Sequence, residues 1–179
     1  VYPFYDGSAA YVRINPHGRI DLISGEAEIG QGANTVFAQI VAEVFGVPME
    51  EVQVIPLDTD HSPFGLGTFA SRVTTLGGKA VQLAAEDARW KLLQVAAEKM
   101  ETRPDDLECA EGRVFLKGSS DRGMKIAEVA RMALHAGGGA PILGVGTFMV
   151  PPTVVVPDQT KYGNISVAYS FGVQVAELK

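Results

Sequence analysis

Apolar positions alternate twice near the start of the chain, through Ala9-Ala-Tyr-Val-Arg-Ile14 and again through Arg19-Ile-Asp-Leu-Ile-Ser24, with the turn residues Asn15-Pro-His-Gly18 between them. Period-two alternation on both sides of such a turn predicts a β-hairpin. The period then changes. Val36, Phe37, Ile40, Val41, Val44 and Phe45 recur every three or four residues, so a helix over about residues 33 to 45 follows, closed by Gly46 as a C-terminal cap and by Pro48 beyond it. Glu51-Val-Gln-Val-Ile-Pro-Leu57 reads as the next strand. From about Ser71 the pattern is helical again, with Val73, Leu76, Ala80, Leu83, Ala84, Leu92, Val95, Ala96 and Met100 on an apolar side until Pro104 stops it. Gly77-Gly78 and the alanines make one side of this helix slim, so that a sheet or a second helix can approach closely.

The later pattern is less regular. Leu107 to Leu116 reads as a small hairpin turning at Glu111-Gly112, and Lys125 to Ala136 as a short amphipathic helix ending in Gly137-Gly-Gly139. Ile142 to Val150 and Ile165 to Glu177 read as strands, separated by a proline-rich connection from Pro151-Pro152 to Asn164. The order ββαβα followed by small mixed elements predicts an α+β fold, a two-layer α/β lobe with helices packed on a mixed sheet.

Composition narrows the function. With 46% hydrophobic and 20% charged residues the chain is an ordinary globular one. A net charge of -6 disfavours a nonspecific nucleic-acid binder. No apolar run approaches the ~20 residues of a transmembrane helix, and the N-terminus lacks the pattern of a signal peptide. Cys109 is the only cysteine, which excludes an intrachain disulfide, a thiolate zinc cluster and an iron–sulfur site within this chain, and fits a reducing cytoplasm. The start at Val1 and the polar end at Glu177-Leu-Lys179 read as a piece of a longer protein.

Candidate chemistry concentrates at two junctions. Glu26-Ala-Glu-Ile-Gly-Gln-Gly-Ala-Asn34 joins a strand to a helix N-terminus, where Gly30 and Gly32 permit a sharp turn and unpaired helix N–H groups suit an anion, with Gln31 offering both a donor and an acceptor. A Gly-x-Gly alone is more often plain turn chemistry than a binding site. Gly65-Leu-Gly-Thr-Phe-Ala-Ser-Arg72 repeats the design after the next strand, with two hydroxyls, a helix start and one guanidinium suited to phosphate or pterin oxygens. Two such junctions can aim two helix N-termini at one elongated anion. Neither has the spacing of a nucleotide P-loop or of a dinucleotide fold.

Other residues are weaker candidates. Asp58, Asp60 and His61 sit within four residues, but Asp-Thr-Asp at a strand end more often caps a turn than holds a metal. His17 in a turn and His135 at a helix end have no acid or nucleophile beside them in sequence. Ser8, Ser71 and Ser166 lack the Gly-x-Ser-x-Gly elbow of a hydrolase. Cys109, with no neighbouring histidine, reads as a small core residue.

Taken in order, Gly25 to Gly32, Gln39 to Glu43, Leu57-Asp-Thr-Asp60 with Pro63, and Gly67-Thr-Phe-Ala-Ser-Arg-Val-Thr74 followed by Gly77-Gly-Lys-Ala-Val81 resemble the large, molybdopterin-binding subunit of the molybdenum hydroxylases, the xanthine dehydrogenase and aldehyde oxidase family. The likeness runs from residue 1 to about 100, loosens from 101 to 164, and returns at Ser170-Phe-Gly-Val-Gln-Val-Ala-Glu177. The wording at Gly67 to Thr74 leans toward the hydroxybenzoyl-CoA reductase and carbon monoxide dehydrogenase branches.

The resemblance implies a single partial molybdopterin-binding domain over 1–179, with 1–103 as the core cofactor lobe and 104–179 adding the hairpin, short helix and further strands. It implies a molybdenum cofactor held by its pterin, often as the cytosine dinucleotide in bacterial members, with no metal ligand from the protein. Gly30, Gln31 and Gly32 would contact it, and Thr68, Phe69, Ala70, Ser71 and Arg72 would form a second cradle. The family reaction is hydroxylation of an activated carbon with water as oxygen source, or a reductive dehydroxylation, on a small organic substrate. Partners would be the remaining lobes of the large subunit and iron–sulfur and FAD subunits or domains.

The family's catalytic glutamate lies in a Gly-x-Gly-Glu motif that Gly144-Val-Gly-Thr147 does not supply. No catalytic residue is therefore assigned, and the isolated chain is expected neither to turn over nor to retain cofactor strongly. A noncatalytic anion-binding or assembly module of the same fold is the alternative, and a generic nucleotide-binding domain a third.

Overall fold

The computed structural model describes residues 6–135, 139–150, 168 and 173–178. The expected hairpin forms from β1 (Gly7–Ile14) and β2 (Ile20–Ser24), paired antiparallel with Ile14 opposite Ile20. Helix α1 (Ala33–Phe45) then carries the chain to β3 (Val52–Val54), which lies parallel to β2, so β2, α1 and β3 make a crossover unit. Gly46 caps α1 in the left-handed region at φ 60°, as its place in the sequence predicts. The β3 strand is shorter than the alternation over residues 51 to 57 implies. Residues 49–51 form a 3-10 turn after Pro48, and Pro56 has no N–H with which to extend the ladder past the bond from Ile55 N to Leu22 O.

Helix α2 (Gly78–Met100) and strand β7 (Ile142–Met149) complete the main layer pair. The sheet order is β3-β2-β1-β7, with β7 antiparallel to β1. The slim side of α2 is used as expected, because Ala80, Ala84 and Ala88 are fully buried against β7. A Cβ on Gly144 would stand 2.5 Å from Ala88 N, and one on Gly146 would overlap the carbonyl of Ala80, so strand and helix backbones meet with no side chain between them. Asp87 also accepts a hydrogen bond from Val145 N at 2.9 Å, and Lys91 Nζ donates to Leu143 O at 2.8 Å. The Gly144-x-Gly146 pair is thus a packing device. Val12, Ile14, Ile20 and Leu22 from the sheet and Phe37, Val41, Phe45, Val81 and Leu92 from the helices fill the core between the layers.

The later elements form their own antiparallel sheet, β4 (Leu107–Ala110), β5 (Arg113–Leu116) and β6 (Ser119–Lys125), before α3 (Ile126–His135). The hairpin turns at Glu111 and Gly112, both at positive φ, as a two-residue turn requires. Strand β6 has no alternating signal in Ser119-Ser-Asp-Arg-Gly-Met-Lys125, since none of its residues is fully buried. It forms because β5 offers an unpaired edge, and Gly123 lets β6 pass close over Phe115. The strand expected over residues 165–177 falls mostly outside the described residues; Ala168 and 173–177 are described and belong to no strand.

Candidate functional site

The first junction is a self-supporting turn. Gly30 and Gly32 sit at φ 100° and 82°, and an added Cβ at either would meet nothing within 4 Å, so both glycines are demanded by backbone geometry and the space beside them stays open. The Glu28 carboxylate spans the turn. Its Oε1 accepts from Gly30 N at 2.7 Å and Gly32 N at 3.1 Å, and its Oε2 accepts from Asn34 N at 3.0 Å. The N–H groups of Asn34 and Gly32 foremost, with Gly30 behind them, hold the Glu28 carboxyl below its ordinary pKa. Gln31 folds back on the same loop, Oε1 accepting from Ile29 N at 2.7 Å and Nε2 donating to Ala27 O at 3.0 Å. Each end of that amide keeps further bonding capacity, since a carbonyl oxygen accepts twice and an NH2 donates twice.

The second junction begins where the chain crosses behind the first. Gly25 and Gly65 touch backbone to backbone, and Ala9 N donates to Phe64 O at 3.0 Å, which threads residues 63–65 past the end of β1 and β2. The loop after it carries Ala70 and Ser71 in the left-handed region, at φ 49° and 58°, a conformation that L residues rarely adopt in succession. A π turn over Val73–Gly77 follows before α2 starts, so the helix does not begin as a regular α-helix at Ser71. Gly77 is required there: a Cβ would come within 2.7 Å of Glu26 Cγ and 3.0 Å of Phe37 Cζ. Thr68 Oγ1 donates to Ala27 O at 2.7 Å, the same carbonyl that Gln31 uses, and so ties the two junctions together.

Arg72 is the buried centre of the arrangement. Its Nε donates to Asp6 Oδ1 at 2.7 Å, Nη1 to Glu26 Oε2 at 2.6 Å and to Gly67 O at 2.7 Å, and Nη2 to Gly7 O at 2.6 Å, while its guanidinium carbon stands 5.7 Å from the Phe69 ring centroid. Burial opposes the charge, but the hydrogen bonds and charges of Glu26 and Asp6 more than offset it and raise the Arg72 pKa.

Two expectations are corrected here. The N-terminus of α1 does not present its Gly32 and Asn34 amides to an outside anion, because Glu28 already accepts from them; the expectation counted unpaired helix amides without the carboxylate upstream. The guanidinium of Arg72 does not offer itself to phosphate, because two carboxylates and two carbonyls take it inward, and Arg72 has no exposed surface.

The junctions nevertheless share one cleft. Ile29, Gln31 and the run Thr68 to Thr75 line a cavity of about 530 Å³, so Gln31, Thr68, Phe69, Ala70 and Ser71 come together, with Arg72 buried in the wall. Gly30 and Gly32 flank Gln31 without lining the cavity. Sequence reasoning missed Asp6, Glu26 and Glu28, of which only the last carried a signal, an acid just before two glycines and a helix start.

The weaker candidates resolve simply. Asp58 Oδ1 accepts from Asp60 N at 2.9 Å and Asp58 N donates to Ser62 Oγ at 3.0 Å, so the aspartate caps its own turn. Among the described residues no group of three or more His, Cys, Asp or Glu converges to hold a metal. Cys109 is buried and its thiol donates to Phe45 O, with burial pushing its pKa up to about 11. No helix of the described residues is long and apolar enough to cross a membrane.

Comparison with known proteins agrees with this architecture. The family model described as "Molybdopterin cofactor-binding domain" matches residues 2–179. The chain is 35% identical over 148 residues to a carbon monoxide dehydrogenase large chain from Hydrogenophaga pseudoflava, covering 82% of this chain and 18% of that protein. It is 40% identical over 110 residues to a putative xanthine dehydrogenase molybdenum-binding subunit from Escherichia coli, covering 61% of this chain and 15% of the relative. Among solved structures, quinoline 2-oxidoreductase from Pseudomonas putida 86 superposes with a TM-score of 0.73 at 31% identity, over 82% of this chain and 19% of that one. The chain thus spans less than a fifth of the length of the relatives it matches.

Proposed function

This chain belongs to the molybdopterin cofactor-binding domain family, and from that premise we propose that it forms one jaw of the cofactor site in the large chain of a molybdenum hydroxylase-type oxidoreductase. The observation that carries the reading is the cleft in which Gln31 from one glycine turn meets Thr68 to Ser71 from the other. The residues there suit a pterin: the Gln31 side-chain amide with spare capacity, flanked by the unobstructed Gly30 and Gly32, and a left-handed Ala70-Ser71 backbone held in place by the structure around it. When bound, the cofactor supplies the redox centre for the oxidation or reduction of a small organic substrate. This chain's residues bind and orient it: Gln31 by hydrogen bonding, Thr68 to Ser71 by shaping the facing wall, and Arg72 by holding both walls from behind.

We assign the cofactor the cytosine dinucleotide form, and partners in the remaining lobes of the large chain and in iron–sulfur and FAD subunits, in a cytoplasmic complex, on the resemblance of the sequence to bacterial molybdenum hydroxylases. The isolated chain should retain cofactor poorly, since it supplies only one wall of the site, and Ile29 in that wall is 70% exposed. The test is mass spectrometry of cofactor released from the full-length complex, together with metal analysis. Stoichiometric molybdenum and a pterin are expected, and Gln31→Ala should lower both while the domain keeps its melting temperature. A complex with neither molybdenum nor pterin overturns the reading.

A further inference from the structure

The turn that carries Gln31 is organised around one carboxylate. With Gly30 and Gly32 at positive φ, the N–H groups of Gly30, Gly32 and Asn34 converge, a backbone arrangement suited to an anion. The chain provides that anion itself, for Glu28 accepts all three bonds, at 2.7, 3.1 and 3.0 Å. Gly32, the N-cap of α1, has no side chain to cap with, and the first turn of the helix contains no acidic residue, so this helix receives its capping charge from four residues before its N-cap. Glu28 grips the amides on both sides of Gln31. The loop is fastened a second time at Ala27 O, which accepts from Gln31 Nε2 and from Thr68 Oγ1. Between these two fastenings Gln31 has little freedom.

We propose that Glu28 is a positioning residue of the cofactor site: its carboxylate fills the place of a phosphate at the start of α1 and thereby sets the geometry in which Gln31 meets the pterin. The inference rests on the cofactor reading given above. It assigns the anionic end of the cofactor to other groups, because these three amides are already spent. A neutral or shorter side chain at residue 28 frees them, and the turn loses the shape that presents Gln31.

The experiment uses the full-length complex, with Glu28→Ala, Glu28→Gln and Glu28→Asp beside the unaltered protein. It measures amide hydrogen exchange over residues 29–34, pterin content per chain, and the melting temperature, each with and without added formate. For Glu28→Ala, exchange at Gly30, Gly32 and Asn34 should rise about tenfold as the turn opens, and pterin content should fall to less than half. Formate should restore pterin to Glu28→Ala by replacing the carboxylate, and leave the unaltered protein unchanged. Glu28→Gln, which keeps the volume and removes the charge, should fall between the two without loss of melting temperature.

If Glu28→Ala and Glu28→Gln carry as much pterin as the unaltered protein, or more, the carboxylate only caps the helix or is displaced by cofactor phosphate, and the inference fails while the cofactor reading stands. Pterin lost in step with the melting temperature, without rescue by formate, also overturns it. An unaltered protein with no pterin removes the cofactor reading itself.

Discussion

Arg72 and Glu26 meet in the interior, Nη1 to Oε2 at 2.6 Å, with neither side chain reaching solvent. Asp6 pairs with the same guanidinium at 2.7 Å. One buried cation thus binds the entry to β1, the start of the first junction and, through Gly67 O, the second. The two walls of the cleft are held from inside the protein.

Removing the cation leaves two carboxylates buried without it. Arg72→Met should destabilise the fold by about 3–5 kcal/mol, the range seen when one partner of a buried pair is deleted. Arg72→Lys should recover only part, because an ammonium lacks the fork that serves Asp6, Glu26, Gly67 and Gly7 at once. Denaturant unfolding of the variants measures both. An arginine that served only an outside phosphate would leave stability unchanged.

The glycines of β7 should tolerate no side chain. Gly146→Ala drives a methyl into the backbone of α2 at Ala80 and Ala84, with Ala84 Cα 3.0 Å away, and is expected to cost about 1–3 kcal/mol as overpacking. Gly30→Ala differs in kind: it has open space but a φ of 100°, so its cost lies in backbone strain and should appear as local disorder of the turn. Thermal unfolding and amide exchange separate the two.

The Glu28 turn should open in acid. Because its carboxyl pKa is depressed in the folded turn, the ordering it provides is present above the ordinary carboxylate range and is lost as pH falls through the lowered value. Amide chemical shifts of Gly30, Gly32 and Asn34 followed by NMR should titrate together below that range, and Glu28→Gln should abolish the transition.

What the sequence determined by itself is local. Period-two and helical spacing placed β1, β2, α1, α2, α3 and β7, and Gly46 and Glu111-Gly112 placed a cap and a turn, because side-chain direction and positive φ are properties of a few consecutive residues. The ordered glycine and hydroxyl motifs also identified the family, since they keep their spacing in the chain whatever surrounds them. Among the elements that escaped are β6, whose residues are too exposed to alternate, and the π turn before α2, where Gly77 yields to Glu26 and Phe37.

Only the tertiary structure decided what the charged residues do. An arginine at a helix start reads the same whether it faces a phosphate or Asp6, a partner 66 residues away in sequence. A glutamate two residues before a glycine turn and a helix start hints at a cap, but only the fold aims three amides at it. Hydrogen-bond partners depend on which backbone groups folding brings within 3 Å or so, and the close crossing of Gly25 and Gly65 sets that here by drawing the two junctions together.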